Sequence, residues 1–244
     1  MFIFPMAGVS RRFREVGYPV HKFKLPLGNM ALFTRVVAGF STYFNTLPFL
    51  FIYREEEGIA EFLREQCAML GVKDARFVAL NAPTRGQAET VEKGLAGAAV
   101  SRNEPITIFN IDTIRPGFRF PDEEVMAAEG YLECFKVPGD NWSFVLPDSP
   151  DSGRVIATTE KRRISNLCCT GLYHYARAGL FLDAYTEARV AGTMQAGELY
   201  VAPLYNRLIA DGCTIRYAVV PNEEVILSGT PAEYEAARLL YEND

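Results

Sequence analysis

The chain has 244 residues, 49% of them hydrophobic, and its 25 Lys and Arg against 30 Asp and Glu give a formal net charge of −5. That apolar content can fill a sizeable core and excludes a disordered chain, and the length suits one α/β domain. The acidic balance argues against a general nucleic-acid binder but leaves room for a local basic pocket.

The first element is a short apolar run, Phe2-Ile3-Phe4, which reads as a buried strand ended by Pro5. Ala7-Gly8-Val9-Ser10-Arg11-Arg12 follows as a turn of small residues that becomes strongly basic, and Lys22 comes ten residues later, before Leu25-Pro26-Leu27. A strand, a tight small-residue turn and nearby cations bring a backbone close to a polyphosphate. Glycine removes the blocking side chain, N–H groups point at phosphate oxygens, and the cations offset their charge.

Residues 31–43 read as a helix, with Leu32, Val36, Val37 and Phe40 at helical spacing. Pro48 to Tyr53 is a continuous apolar run, as in a strand covered on both faces. A helix from Gly58 to Leu70, stopped by Gly71, and a strand from Ala75 to Leu80 come next. This alternation predicts a mostly parallel sheet with helices on both faces and a ligand beyond the carboxyl ends of the strands.

Two stretches then carry chemistry. In Asn81 to Val91 a strand gives way to a Pro83-Thr84-Arg85-Gly86 loop and a helix starting near Gln87-Ala88. Its N-terminus is expected to offer free N–H donors. Pro105 to Thr113 reads as a central strand ending in Asn110 and Asp112, two apart and so on one side. A carboxylate there either holds Mg²⁺ between triphosphate oxygens or caps the next turn.

Further on, Gly130 to Phe135 reads as a strand, and Gly139 to Val145 as a turn entering a strand that carries Trp142, the only tryptophan. A Pro/Asp/Ser loop closes a hairpin onto Val155 to Thr159, at whose end Lys161 suits a phosphate and Glu160 a hydroxyl or amine, unless both are a solvated pair. Asn166 to Tyr175 follows, with Thr170-Gly171 inside it. Helices are expected over Gly179 to Ala188, from Gly197 to Asn206 with Glu198 in the first turn, and over Ala232 to Tyr241, and a late strand over Cys213 to Val220. The N-terminus lacks the basic segment and apolar core of a signal peptide, and no run of about 18 apolar residues exists, so no membrane insertion is expected. Five cysteines without zinc or C-x-x-C spacing fit free thiols in a reducing cytoplasm.

The ordered motifs resemble those of the nucleotidyltransferases that activate sugars and related phosphorylated compounds, including the short cytidylyltransferases. Their pattern is A-G-x-G-x-R, a loop, then P-K-x-L. Here Ser10 stands at the second glycine and His21 at the proline before Lys22. Gly86-Gln87-Ala88, Asn110-Ile111-Asp112, Glu160-Lys161, Thr170-Gly171-Leu172-Tyr173 and Gly229-Thr230-Pro231 follow in family order.

The resemblance implies a Rossmann-like, GT-A-like α/β fold in one domain, 1–244. Residues 1–125 would form the nucleotide-binding half and 126–244 the acceptor-binding half. It implies that Arg12 and Lys22 are catalytic on the phosphates. Ala7, Gly8, Ser10, Arg11, Thr84, Gly86, Gln87 and Ala88 would bind the nucleotide, with Gln87 reading the base. Asp112 would hold Mg²⁺. Asn110, Trp142, Glu160, Lys161, Thr170, Gly171 and Glu198 would meet a phosphorylated acceptor such as a sugar phosphate. CTP leads UTP and dTTP as the NTP, and capsule or lipopolysaccharide assembly is the implied setting. Leu227 occupies the place of a usual second metal-binding aspartate, for which Asp140, Glu198 or Glu224 would have to substitute. Two other readings stand beside this one: a glycosyltransferase of related fold, and a catalytically silent nucleotide-binding protein.

Overall fold

The computed structural model describes residues 1–192 and 197–242. The chain runs β1 (Phe2–Met6), α1 (Arg11–Glu15), β2 (Pro26–Leu27), β3 (Met30–Ala31), α2 (Leu32–Ala38), β4 (Phe49–Arg54), α3 (Ile59–Leu70), β5 (Ala75–Leu80), α4 (Gln87–Gly97), β6 (Ile106–Phe109), β7 (Thr113–Ile114) and α5 (Glu123–Met126). It continues through β8 (Gly130–Phe135), β9 (Ser143–Pro147), β10 (Val155–Glu160), β11 (Leu167–Tyr175), α6 (Ala178–Ala191), α7 (Tyr205–Ala210), β12 (Ile215–Val219), β13 (Ile226–Leu227) and α8 (Pro231–Leu240).

Nine strands form one mixed sheet in the order β10-β9-β11-β6-β1-β4-β5, with β8 lying between β11 and β12. The strands β6, β1, β4 and β5 are mutually parallel, whereas β11 runs antiparallel to β6, β8 and β9. Strand alternation divides the core by residue type. Phe2 and Phe4 of β1 and Phe49 and Phe51 of β4 share one face with Phe40, Phe109 and Phe118. Ring centroids there lie 4.8 Å (Phe2–Phe40) and 5.0 Å (Phe40–Phe109) apart, and α2, α3 and α8 cover this aromatic layer. Ile3, Leu50, Ile52, Ile106 and Ile108 face the other way, onto α4 and α6.

Several local expectations change. β1 continues through Pro5 to Met6. The β1–β6 pairing reaches only Ile3↔Ile108, so no ladder bond on that side is asked of the proline nitrogen. The helix expected over 31–43 stops at Ala38, because the Gly39 carbonyl turns out to accept the Phe118 N–H at 2.9 Å. Phe40 thereby enters the aromatic layer. The helix expected from Gly197 is a 3₁₀ turn, Ala202–Leu204, running into α7. The Leu199 backbone is spent on its neighbours, donating to Arg85 O (2.9 Å) and accepting from Ala88 N (3.1 Å), and so leaves the helical pattern.

Among the described residues no helix is long and apolar enough to cross a membrane. All five cysteines are free thiols.

Candidate active site

The site begins where β1 and β6 end. After Met6 the chain turns through Ala7-Gly8-Val9-Ser10, and the space beside Gly8 where a side chain would project is open. Ser10 adopts a left-handed conformation (φ 52°, ψ 36°), which glycine takes more readily. Its hydroxyl accepts the Lys22 N–H at 3.2 Å, a bond glycine could not make. Lys22 opens a 3₁₀ turn, Lys22–Lys24, and its ammonium donates to Asp112 Oδ2 in an ion pair spanning 90 residues.

Asp112 follows β6 and is held from a third segment. Its carbonyl accepts both the N–H and the hydroxyl of Ser228, each at 2.9 Å. β13 pairs with β7 next to it, with Leu227 opposite Thr113, and Gly229 leaves no side chain between the turn and the Asp112 carboxylate. A capping box then starts α8: Thr230 Oγ1 accepts from Glu233 N (3.2 Å), and Glu233 Oε2 accepts from Thr230 N (2.8 Å).

Two cavities meet at this point. One, of about 520 Å³, is walled by Ala7, Gly8, Ser10, Lys22, Thr84, Gly86, Gln87 and Asp112. The second, of about 600 Å³, is walled by Trp142, Glu160, Lys161, Thr170, Gly171 and Arg12. Gln87, Asn110, Asp112 and Glu198 border both. The structure therefore brings Lys22 and Asp112 together at the seam, and the residues expected to meet an acceptor gather in the second cavity.

On the nucleotide side the expectation for Ala88 is corrected, and Arg11 and Gln87 carry contacts of their own. Arg11 points to solvent, its side chain 80% exposed and paired with Glu15 at 3.6 Å. Ala88 is fully buried behind the wall, and its N–H is taken by Leu199 O, so the start of α4 does not offer that donor. Gln87 lines the nucleotide cavity, and its amide donates to Asn110 Oδ1 at 2.5 Å. Gly86 is required for another reason than ligand access. At φ +116° it lies where a Cβ would come within 2.7 Å of the Leu199 carbonyl oxygen.

In the second cavity, Gly171 (φ +98°) lies against Asn110, whose Nδ2 would be 2.3 Å from a Cβ at this position. Thr170 faces the cavity but spends its hydroxyl on Glu133 Oε1 at 2.9 Å. Trp142 is fixed by a bond from Nε1 to Pro138 O (3.1 Å) and an edge contact with Phe135. Lys161 donates to the Tyr200 hydroxyl at 2.6 Å, not a solvated charge pair with Glu160. Burial pushes the Glu160 carboxyl above its ordinary value against the opposing pull of the Ser143 hydroxyl, which donates to it.

A crystal structure of the nucleoside-diphosphate-sugar pyrophosphorylase from Vibrio cholerae RC9 superposes on this fold with a TM-score of 0.93 and 44% identity, over 98% of this chain and 100% of that one. The chain belongs to this family of sugar-phosphate nucleotidyltransferases. More distant likenesses share the fold. A Bacillus anthracis structure assigned as a glucose-1-phosphate thymidylyltransferase gives a TM-score of 0.74 at 17% identity, over 100% and 95% of the two chains. The inositol-1-phosphate CTP transferase from T. maritima gives 0.69 at 15%, over 99% and 94%. Neither a protein-family model nor a curated protein sequence matches the chain.

For a member of the nucleotidyltransferase family, the carboxylate supply is spare. Leu227 lies beside Asp112 in the β7–β13 ladder but packs into an apolar group with Trp142, Val225 and Phe135. Asp140 is engaged by Arg163 at 3.2 Å and Glu224 by Arg115 at 3.2 Å, which leaves Glu198 as the candidate substitute bordering the same cavities as Asp112. Among the described residues no group of three or more His, Cys, Asp or Glu side chains is placed to hold a metal. The hard oxygen of Asp112 at the seam fits a cation shared with phosphate oxygens and water, the arrangement Mg²⁺ favours.

Sequence reasoning missed two polar clusters of this nucleotidyltransferase. Behind Thr170, Arg115 forms a bidentate pair with Glu133 (2.8 and 3.1 Å) and reaches the Glu224 carbonyl at 2.7 Å. Beside Lys22, the buried His21 meets Glu56 Oε2 at 2.7 Å. An Arg and a Glu 18 positions apart carry no local signal of pairing. The unusual residue at position 21 was the one available hint.

Both histidines titrate low. Burial, reinforced by Arg14, Arg54 and Lys24, pushes His21 down to about 4. Burial and the N-terminal ammonium do the same to His174, which bonds Thr107 Oγ1 at 2.9 Å. Between pH 6.5 and about 4 the unfolded chain therefore binds more protons than the folded one, so stability falls as pH falls. Each histidine is expected to contribute a slope of about 1.4 kcal/mol per pH unit in that window. Urea unfolding at pH 7.5, 6 and 5 measures it, and His174→Gln should lower the slope by one histidine's share.

Proposed function

We propose that the protein transfers a nucleoside monophosphate from an NTP to a phosphorylated acceptor, releasing pyrophosphate. The observation that carries this reading is the meeting of Lys22 and Asp112 at the seam between two cavities. A phosphate oxygen of the acceptor attacks the α-phosphorus, and the bond to the bridging oxygen of pyrophosphate breaks. The acceptor is already anionic, so no strong general base is required, which agrees with two histidines that are buried and neutral.

Catalysis then rests on positioning and charge stabilisation. Lys22 meets the α-phosphate as its charge grows, and Arg12, on the acceptor side of the same seam, offsets the outgoing phosphates. Ala7, Gly8 and Ser10 admit the triphosphate backbone, Thr84 and Gly86 flank the base, and the Gln87–Asn110 amide pair presents a polar edge to it. Glu160, Lys161 and Trp142 meet the acceptor, with Thr170 and Gly171 shaping its floor. Asp112, with Glu198 nearby, would hold Mg²⁺, which supplies charge neutralisation on the phosphate oxygens when bound. A sugar phosphate is the acceptor class, CTP the first NTP to test ahead of UTP and dTTP, and supply of surface polysaccharide in the cytoplasm the setting.

Pyrophosphate release from CTP, UTP and dTTP with a panel of sugar phosphates and Mg²⁺, run beside calorimetric nucleotide binding, tests the reading. Release with one NTP–acceptor pair is expected. Nucleotide binding without release across the panel would replace it with the catalytically silent reading that Leu227 favours.

A further inference from the structure

His21 immediately precedes Lys22, is 5% exposed and forms no part of either cavity wall. Its φ of −57° lies where proline's ring would hold it, and its ψ is 139°. No ring closes here, and side-chain contacts add to the backbone bonds that hold the turn. Its Nε2 lies 2.7 Å from Glu56 Oε2, and its ring stacks on Phe23 with centroids 5.2 Å apart.

Glu56 ties three segments together. It accepts from Arg54 at the end of β4, lies 3.7 Å from Arg14 of α1, and holds His21 of the Lys22 turn. The charged groups facing the imidazole are thus Glu56, Arg14, Arg54 and Lys24, and the Glu56 carboxylate oxygen is placed to accept from Nε2–H of the neutral ring. On the far side the His21 carbonyl accepts Lys24 N–H at 2.8 Å, closing the 3₁₀ turn, and Ser10 Oγ takes Lys22 N–H. The Lys22 backbone is therefore fixed from two directions before its ammonium reaches Asp112.

We propose that His21 and Glu56 form a clasp that aims Lys22 into the seam, making both of them positioning residues for the transfer; the activity readout of this inference rests on the nucleotidyl-transfer reading above. A backbone shift of about 1 Å can cost up to about a hundredfold in rate when it misplaces a catalytic group.

Four variants test it: His21→Ala, His21→Pro, Glu56→Gln, and the last two combined. Each is measured for kcat and KM, thermal unfolding, and amide hydrogen exchange at residues 22–25. His21→Ala is expected to lower kcat about tenfold or more with little change in the acceptor KM, and to speed exchange at 22–25. His21→Pro, which presets φ, should rescue kcat to within about threefold of the parent. Glu56→Gln should cost less kcat in the proline background than in the histidine background.

Parent-like kcat and exchange in His21→Ala overturn the clasp, as does a proline variant as slow as the alanine one. A lowered unfolding temperature with kcat unchanged per folded molecule would show a structural role only and also overturn it. If His21→Ala does not fold, Glu56→Gln carries the same two readouts. Should the parent release no pyrophosphate from any NTP, the transfer reading fails by itself, and exchange at 22–25 still decides the clasp.

Discussion

Lys22→Ala is expected to lower pyrophosphate release by about two to four orders of magnitude while leaving the fold intact. The catalytic expectation follows from position. Lys22 is the cation that borders the nucleotide cavity and contacts Asp112, so its ammonium stands where charge would build on the α-phosphate. The stability expectation follows from exposure. The side chains of Lys22 and Asp112 are 20% and 23% exposed and both line an open cleft, where an ion pair adds little to folding. The alanine variant should therefore keep its unfolding temperature and lose turnover. Steady-state kinetics beside a thermal melt decides the matter, and near-normal turnover would remove Lys22 from the mechanism.

The largest effect on stability is expected from Glu133→Ala. Arg115 is 3% exposed and Glu133 1% exposed, and the two form a bidentate pair inside the fold. Removing the glutamate leaves a guanidinium buried with only Glu224 and its carbonyl as partners, one of them near the surface. Breaking a buried pair from one side costs about 3–5 kcal/mol. It also takes the shorter of two acceptors from the Thr170 hydroxyl, beside Gly171 on the acceptor floor, leaving the Glu133 carbonyl at 3.4 Å. Glu133→Ala is thus expected to lower the urea midpoint sharply and, in the fraction that folds, to raise the acceptor KM more than the NTP KM. A change below about 1 kcal/mol would mean that water or a rearranged carboxylate satisfies Arg115.

What could be read from the sequence follows from how local each signal is. The runs at 48–53, 75–80 and 130–135 and the strand ending in Asp112 announced themselves by composition, and the mostly parallel order followed from the alternation of elements. The meeting of Lys22 with Asp112 was legible only because the motifs occur in an order already associated with one cleft. Contacts that depend on backbone geometry at a distance were not legible. Leu199 uses up the donor at Ala88 from more than a hundred positions away, and nothing in the Gly86-Gln87-Ala88 triplet encodes that. Charged residues read by default as solvated, so Arg115, Glu133 and Glu56 were passed over, though burial makes two of them structural and gives the third its hold on His21. Leu227 borders the acceptor-side cavity, and its side chain joins the apolar group around Trp142.

The bond between Ser228 and the Asp112 carbonyl has a bearing on when the protein becomes competent. A chain made only through β6 already contains β1, β4 and β5, yet its carboxylate loop stays unlatched until position 228 has been added. The nucleotide cavity is late too, because Glu198 belongs to its wall and Leu199 lies against Gly86, so residues made last close a centre that residues made first begin.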